Sequence, residues 1–356
     1  MKQKRILFVA SLPTKRLNFD GETIKSRDVL TCLKTFDNCK YTIIDYRKNK
    51  YIQTIKMLLH VMFRRFDSII ISKCVVGGSY ALHLILKFAK KRNLKNITFY
   101  LIGNGGTGFE NRKLYLEDLK KCRNIIVESP IVQEELKKLD IDDRISIFPC
   151  IKPSYELEPL PREYGSEEKP LRAIFFSRIN EKKGVMDAID AVILANEKSH
   201  KVIYTLDIAG GVSQQEEVVR FAAKVVEKCE QYDFLHYLGM SLHIKDIHSY
   251  EELQSYDLHV FPSKFIQECA PGSILDMFVA GIPTISSRFP SVKYLLNDSN
   301  SYFFNGGNIE ELADKLIYIY NHKEELSKKR ILSHDEYIKY TDKVFIEFLK
   351  DKGVIE

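Results

Sequence analysis

The sequence predicts an α/β protein made of two parallel-sheet domains, on three observations. Short apolar runs alternate with amphipathic stretches along the whole chain. The alternation breaks once, at the proline-rich, charged segment 152–170, and then begins again. A length of 356 residues is also enough for two domains of ordinary size.

Composition narrows the class. Hydrophobic content of 45% and charged content of 29% describe a soluble, folded chain. The opening MKQKRILFVASLP holds too short an apolar run for a signal-peptide core and reads as a first buried strand. No run approaches the roughly 20 apolar residues that span a bilayer. Seven scattered cysteines contain no C-x-x-C pair. That favours reduced thiols in a cytoplasmic protein over a structural zinc or a disulfide framework. Charge is unevenly shared. Residues 1–150 carry 29 Lys+Arg against 15 Asp+Glu, a net +14, and the remainder 25 against 33, a net −8, which together give +6. A basic half suggests an anionic partner, with a membrane leaflet and nucleic acid both open at this point.

In order, Arg5–Ala10 is the first strand, and the loop through Gly21 leads to a helix over Ile24–Phe36. Tyr41–Tyr46 is a second strand. The stretch Lys48–Arg65 is a basic amphipathic helix with no acid, suited either to a core or to an anionic bilayer surface. Strand Ser68–Ser72, helix Tyr80–Lys91 and strand Asn96–Ile102 come next. The loop Gly103-Asn-Gly-Gly-Thr-Gly108 formally satisfies G-x-G-x-x-G, and Glu128 stands where a dinucleotide fingerprint places its ribose acid. An NAD-binding unit is therefore one reading, although three strands precede the loop where the fingerprint normally marks the first. Helix Glu134–Leu139 and strand Arg144–Pro149 end this half.

After the interdomain linker, Leu171–Ser177 restarts the strands, leading into the cationic loop Arg178–Gly184. Helices at Met186–Ala195 and Glu216–Tyr232 alternate with strands at Tyr204–Ala209 and Phe234–Leu238. The stretch Asp257–Ser287 then reads as a βαβ unit. Its helix starts near Pro271-Gly272-Ser273 and stops at Gly281. The unpaired first N–H groups of that helix, the bare Cα of Gly272 and the Ser273 hydroxyl suit a phosphate or pyrophosphate. Glu268 and Asp276 flank the anion site as acceptors for sugar or ribose hydroxyls. An ordinary βαβ unit with solvated acids fits the spacing equally well. Helices at Glu310–Tyr320 and Asp335–Leu349 close the chain.

Glu268, seven residues, Asp276, then Ala280-Gly281-Ile282-Pro283 resembles the E-x7-E signature of retaining glycosyltransferases of family 4, with Asp in the second acidic place. Ser177-Arg178-x4-Lys183-Gly184 resembles the first donor-side loop of the same family. The resemblance implies the GT-B fold, two facing Rossmann-like doubly wound domains with a C-terminal helix that crosses back. Residues 1–151 would be the acceptor-side domain, 152–170 the linker, 171–334 the nucleotide-sugar domain and 335–356 the returning helix. By the same resemblance, Arg178 and Lys183 hold the donor diphosphate, helped by Gly272, Ser273 and Ile274. Asp276 takes the ribose and Glu268 the sugar hydroxyls. Gly21 and Thr23 approach the donor phosphates, and Asn104 and Gly105 line the acceptor side. No histidine in the first half matches a catalytic one.

The activity implied is metal-independent transfer, without a cofactor, from a UDP- or GDP-sugar to a glycan or lipid-linked acceptor in capsular or surface polysaccharide assembly. Peripheral contact at the inner face of the cytoplasmic membrane is expected, and no nucleic acid. Between 171 and 287 no D-x-D pair offers a metal site. A noncatalytic nucleotide-sugar-binding protein of the same fold is the alternative from another class.

Overall fold

A computed structural model of the chain describes residues 3–13, 21–103, 107–109, 112–141, 144–160, 162–164, 169–244, 246–265 and 268–355. The chain divides into two units. One comprises Met1–Ser154, Glu268–Gly272 and Tyr340–Glu356, and the other Tyr155–Gln267 and Ser273–Lys339.

The first unit opens with β1 (Lys4–Ala10), α1 (Gly21–Lys34), β2 (Cys39–Asp45), α2 (Lys50–Phe63), β3 (Ser68–Lys73) and α3 (Val75–Phe88). It continues with β4 (Ile97–Leu101), α4 (Lys113–Leu119), β5 (Asn124–Val127), α5 (Pro130–Lys137) and β6 (Ile145–Ile147). The six strands form one sheet in the order β2-β1-β3-β4-β5-β6, and every pairing is parallel. Parallel strands need crossovers on the sheet faces, so both faces are covered and the strands read as apolar runs. Leu7, Val9, Ile69, Ile71 and Phe99 fill one core layer, and Ile6, Phe8, Ile70 and Tyr100 the other.

The second unit starts with β7 (Leu171–Phe176), α6 (Val185–Lys198), β8 (Tyr204–Ala209), α7 (Glu216–Cys229), β9 (Leu235–Gly239) and α8 (Ile247–Leu253). After these come β10 (Leu258–Phe261), α9 (Gly272–Ala280), β11 (Thr284–Ser287), β12 (Ser301–Phe304), α10 (Ile309–Asn321) and α11 (Glu324–Tyr337). Its six parallel strands run in the order β12-β11-β10-β7-β8-β9. Chain order therefore reverses between β7 and β10, and in the first unit between β1 and β3. Open α/β sheets bind ligands beyond the strand ends at such switch points.

The last helix, α12 (Asp342–Asp351), belongs to the first unit. Phe345, Ile346 and Leu349 bury against Ile6, Phe8, Val29 and Phe148. Here the sequence boundaries shift. The expected helix Asp335–Leu349 is two pieces, the end of α11 and α12, separated by a short 3-10 turn at Ile338–Tyr340. The unit boundary falls at Tyr340 rather than 335. The expected linker begins inside the first unit. Lys152 pairs with Thr341 as a parallel bridge inside the first unit, and the second unit begins at Tyr155. Helix α3 begins five residues before its expected start, because Gly77 and Gly78 lie within its first turns rather than in a loop. Apart from Asp335–Tyr337, helix α11 has no counterpart among the helices expected from sequence. Its charged faces carry little periodic signal, yet it buries Arg330. That guanidinium donates to the carbonyls of Leu160, Gln254 and Tyr256 at 3.2, 3.0 and 2.6 Å.

A buried ion pair ties α1 to the residues just before the chain first leaves the first unit. The Lys152 ammonium lies 3.2 Å from Asp28 on α1, and both side chains are almost fully buried. Asp28 also accepts two bonds from Arg27. Breaking a buried pair by removing one partner typically costs about 3–5 kcal/mol. Asp28→Ala is expected to lower the urea midpoint of the first unit by a corresponding amount, while the second unit's transition stays in place.

Candidate functional site

The second unit's switch point is made of two loops that meet through their backbones. After β7, Ser177–Gly184 turns through a 3-10 helix whose N-cap, Asn180, accepts from Lys182 N–H at 2.9 Å. Gly184 ends the turn in a left-handed conformation, φ 75°. A Cβ there would stand 2.0 Å from the Pro262 carbonyl oxygen, just past β10. Only glycine fits both the dihedral and the space. The Lys264 N–H donates to Lys182 O at 2.8 Å, which closes the two loops together. On the other flank, a Cβ at Gly210 would stand 1.7 Å from Ser177 O, so the β8 turn touches the same loop.

This clamp fixes the two expected cations differently. Arg178 is exposed. Lys183 is half-buried, its ammonium 5.7 Å from the Phe261 ring centroid and 5.9 Å from that of Phe265. Aromatic faces attract a cation electrostatically. Lys264 is used otherwise, pairing with Asp187 on α6 at 2.8 Å. Neither Phe261 nor Phe265 is among the site residues expected from sequence, although V-F-P-S-K-F shows both beside the strand end.

Helix α9 begins at Gly272, and no described atom lies within 4 Å of where a Cβ at Gly272 would stand. Its first N–H groups, those of Gly272, Ser273 and Ile274, have no helical carbonyl to bond. Ser273 is half-buried, while Ile274 is fully buried and anchors the turn. Asp276 is largely buried one turn further on, and its Oδ1 accepts the Tyr250 hydroxyl at 2.8 Å. Tyr250 on α8, itself fully buried and packed 4.9 Å from the Tyr155 ring, is a residue that spacing could not reveal. Glu268 is half-buried and lies in the five-residue segment that groups with the first unit. His259 on β10 is no base for this site. Burial pushes its imidazole down to about 3, and its Nδ1 faces the Thr284 hydroxyl at 3.1 Å.

The first unit's switch point holds other groups. Thr23 is fully buried on α1, whereas Gly21, the helix's first residue, is exposed. Between them, Glu22 accepts from Lys73 at 3.0 Å, and Lys73 also reaches the Ser11 hydroxyl at 2.5 Å. Asn104 and Gly105 lie outside the described residues. The NAD reading fails on Glu128. Its carboxylate is buried, accepting from Lys25 Nζ at 2.8 Å and from Gly103 N–H at 2.7 Å through Oε2. The Cys150 thiol approaches Oε1 at 3.4 Å. An acid spent on holding α1 to the β4 loop is not presented to a ribose. The G-x-G-x-x-G loop also comes after the fourth strand, away from the β1–β3 switch point. Among the described residues no three His, Cys, Asp or Glu side chains group as a metal site.

The comparisons with known proteins bear on the fold and on the second unit. The model of the family described as glycosyl transferases group 1 matches residues 170–322, which span the second sheet and both of its site loops. No curated protein matches the sequence. Among solved structures, Anabaena HepE in complex with UDP and glucose is similar at 13% identity, with 99% of each chain covered and a TM-score of 0.71. Sucrose-phosphate synthase from Thermosynechococcus elongatus is similar at 12% identity, 98% of each chain and a TM-score of 0.73. S. aureus TarM, solved with UDP among its ligands, is similar at 15% identity and a TM-score of 0.63, with 84% of this chain covered. This chain spans only 58% of TarM's length. The two parallel six-stranded sheets with flanking helices are thus the GT-B fold of the glycosyltransferases.

The clamp at Gly184 is open to a direct test. Gly184→Ala forces a left-handed alanine against a backbone carbonyl, at a cost of about 2–4 kcal/mol. Urea unfolding followed by a probe in the second unit is expected to show that loss.

Proposed function

We propose that the chain is a retaining glycosyltransferase that moves a sugar from a UDP- or GDP-sugar to a glycan or lipid-linked acceptor. The observation that carries this reading is the clamped cationic loop, together with the start of α9, within the segment matched by the group 1 family model. Arg178 supplies a planar fork and Lys183 a point charge, which together suit the two phosphates of a nucleoside diphosphate. The N–H groups of Gly272, Ser273 and Ile274 add donors at the positive end of a helix dipole.

In this reading the catalysis is chiefly electrostatic. As the glycosidic C–O bond lengthens, negative charge grows on the departing phosphate, and Arg178 and Lys183 stabilise it more than they stabilise the bound donor. That phosphate then takes the acceptor hydroxyl's proton on the same face of the sugar, so configuration is retained without a metal. Glu268 accepts from hydroxyls of the transferred sugar. Asp276 accepts from the ribose, its carboxylate held in orientation by the Tyr250 hydroxyl. UDP in the solved HepE and TarM structures makes a uridine donor the first to try. Capsular or surface polysaccharide assembly is the setting proposed for the acceptor, supported by the basic first unit.

Two measurements test the proposal. A thermal-shift panel of UDP, GDP, ADP and their sugars should show one nucleotide class stabilising the protein. Arg178→Ala and Lys183→Ala should each reduce transfer, or donor hydrolysis where the acceptor is lacking, by about 10²–10³-fold with melting temperature unchanged. Unaltered turnover in both variants overturns the reading. Donor binding without any turnover would mark a nucleotide-sugar-binding protein instead.

A further inference from the structure

The solvent-facing side of α2 is apolar, the reverse of what a surface helix shows. With 3.6 residues per turn, Tyr51, Ile52, Ile55, Leu59 and Phe63 share one arc of the helix. All five are between 50% and 70% exposed. The opposite arc carries Gln53, Met57 and Val61 into the core of the first unit. Helix α3 packs against α2 and exposes a stripe of its own at Val76, Tyr80 and Phe88. Scattered apolar residues on a surface need no explanation, but ordered stripes on two packed helices do.

Charge distinguishes the occupants. From Tyr46 to Phe109 the sequence holds twelve Lys or Arg and one acid, Asp67. That aspartate is engaged by the Arg5 N–H at 2.9 Å. Arg47, Lys48, Lys50, Lys56, Arg64 and Arg65 are all exposed at the ends and flank of α2. An apolar arc bordered by bases complements an interface that is greasy beneath and anionic at its surface. No helix of the described residues is long and apolar enough to cross a membrane, so the contact would be peripheral.

We infer that the exposed arc of α2, with the stripe on α3 beside it, docks on an anionic phospholipid bilayer. Its apolar side chains enter the headgroup boundary, and the flanking bases lie among the lipid phosphates. This gives the membrane contact suggested by the basic first unit a defined face. It does not depend on the transfer reaction, because lipid binding is read without a donor.

The test is flotation of the full chain with vesicles of phosphatidylcholine alone and of equal parts phosphatidylcholine and phosphatidylglycerol. Binding is expected only to the anionic vesicles and should weaken as salt screens the bases. Ile55→Ser combined with Phe63→Ser should lower the vesicle-bound fraction at least about tenfold, with circular dichroism unchanged. Val219→Ser, an exposed apolar position on α7, should leave it intact. Equal binding to both vesicle types, no binding to either, or full binding by the double variant overturns the inference. A dimer in sedimentation that the double variant dissociates also overturns it, since a second copy would then cover the face.

Discussion

The candidate site of the second unit depends on one pairing, that of β7 beside β10. Parallel strands joined by right-handed crossovers leave a crevice where chain order reverses, and in this sheet the reversal falls between these two strands. Their carboxyl ends therefore deliver the Arg178–Gly184 loop and the Pro262–Phe265 loop to one place. Had β8 lain between them, Lys183 could not have reached the ring of Phe261. The backbone contact at Gly184 then removes the remaining freedom, so the cation is positioned by hydrogen bonds and excluded volume rather than by side-chain packing alone.

The same reasoning explains what sequence could and could not disclose. The strands were legible because a sheet buried on both faces demands unbroken apolar runs such as Leu7–Ala10 and Ile69–Ile71. The places of Arg178 and Lys183 just after β7, and of Gly272–Asp276 at a helix start, were legible because an apolar run and a Pro-Gly-Ser turn mark those boundaries. Tyr250 was not, since the bond it makes to Asp276 spans 26 residues and leaves no trace in spacing. Glu128 was actively misleading. At a plausible interval from a glycine-rich loop, it looks like a ribose acid, and only the structure shows its oxygens occupied by Lys25, Gly103 and Cys150. Helix α11 hid for a different reason: beside Leu326 and Tyr337 it buries Arg330 and Ser333, which a hydrophobic pattern counts against burial.

Buried charge in the first unit has a structural logic distinct from that of the site. Lys25–Glu128 and Asp28–Lys152 both start from α1 and reach, respectively, the end of β5 and the last residues before the chain leaves the unit. Such pairs contribute little net stability against an apolar alternative, but they tolerate only one arrangement of partners. They fix how α1 lies relative to the loop at Gly103, and with it the stretch that begins at Gly21.

The two glycine contacts, Gly184 against Pro262 and Gly210 against Ser177, carry a consequence for how far such sequences drift. The turn is held by main-chain atoms touching main-chain atoms, and these are the same in every residue type. Side chains around it are free to change identity without moving the loop, as long as the glycines remain. Two positions closed to substitution thus leave their neighbours open. Chains that share 12–13% of their residues with this one nevertheless superpose on it at TM-scores of 0.71 and 0.73, and a shape carried by the backbone is the kind that survives such divergence.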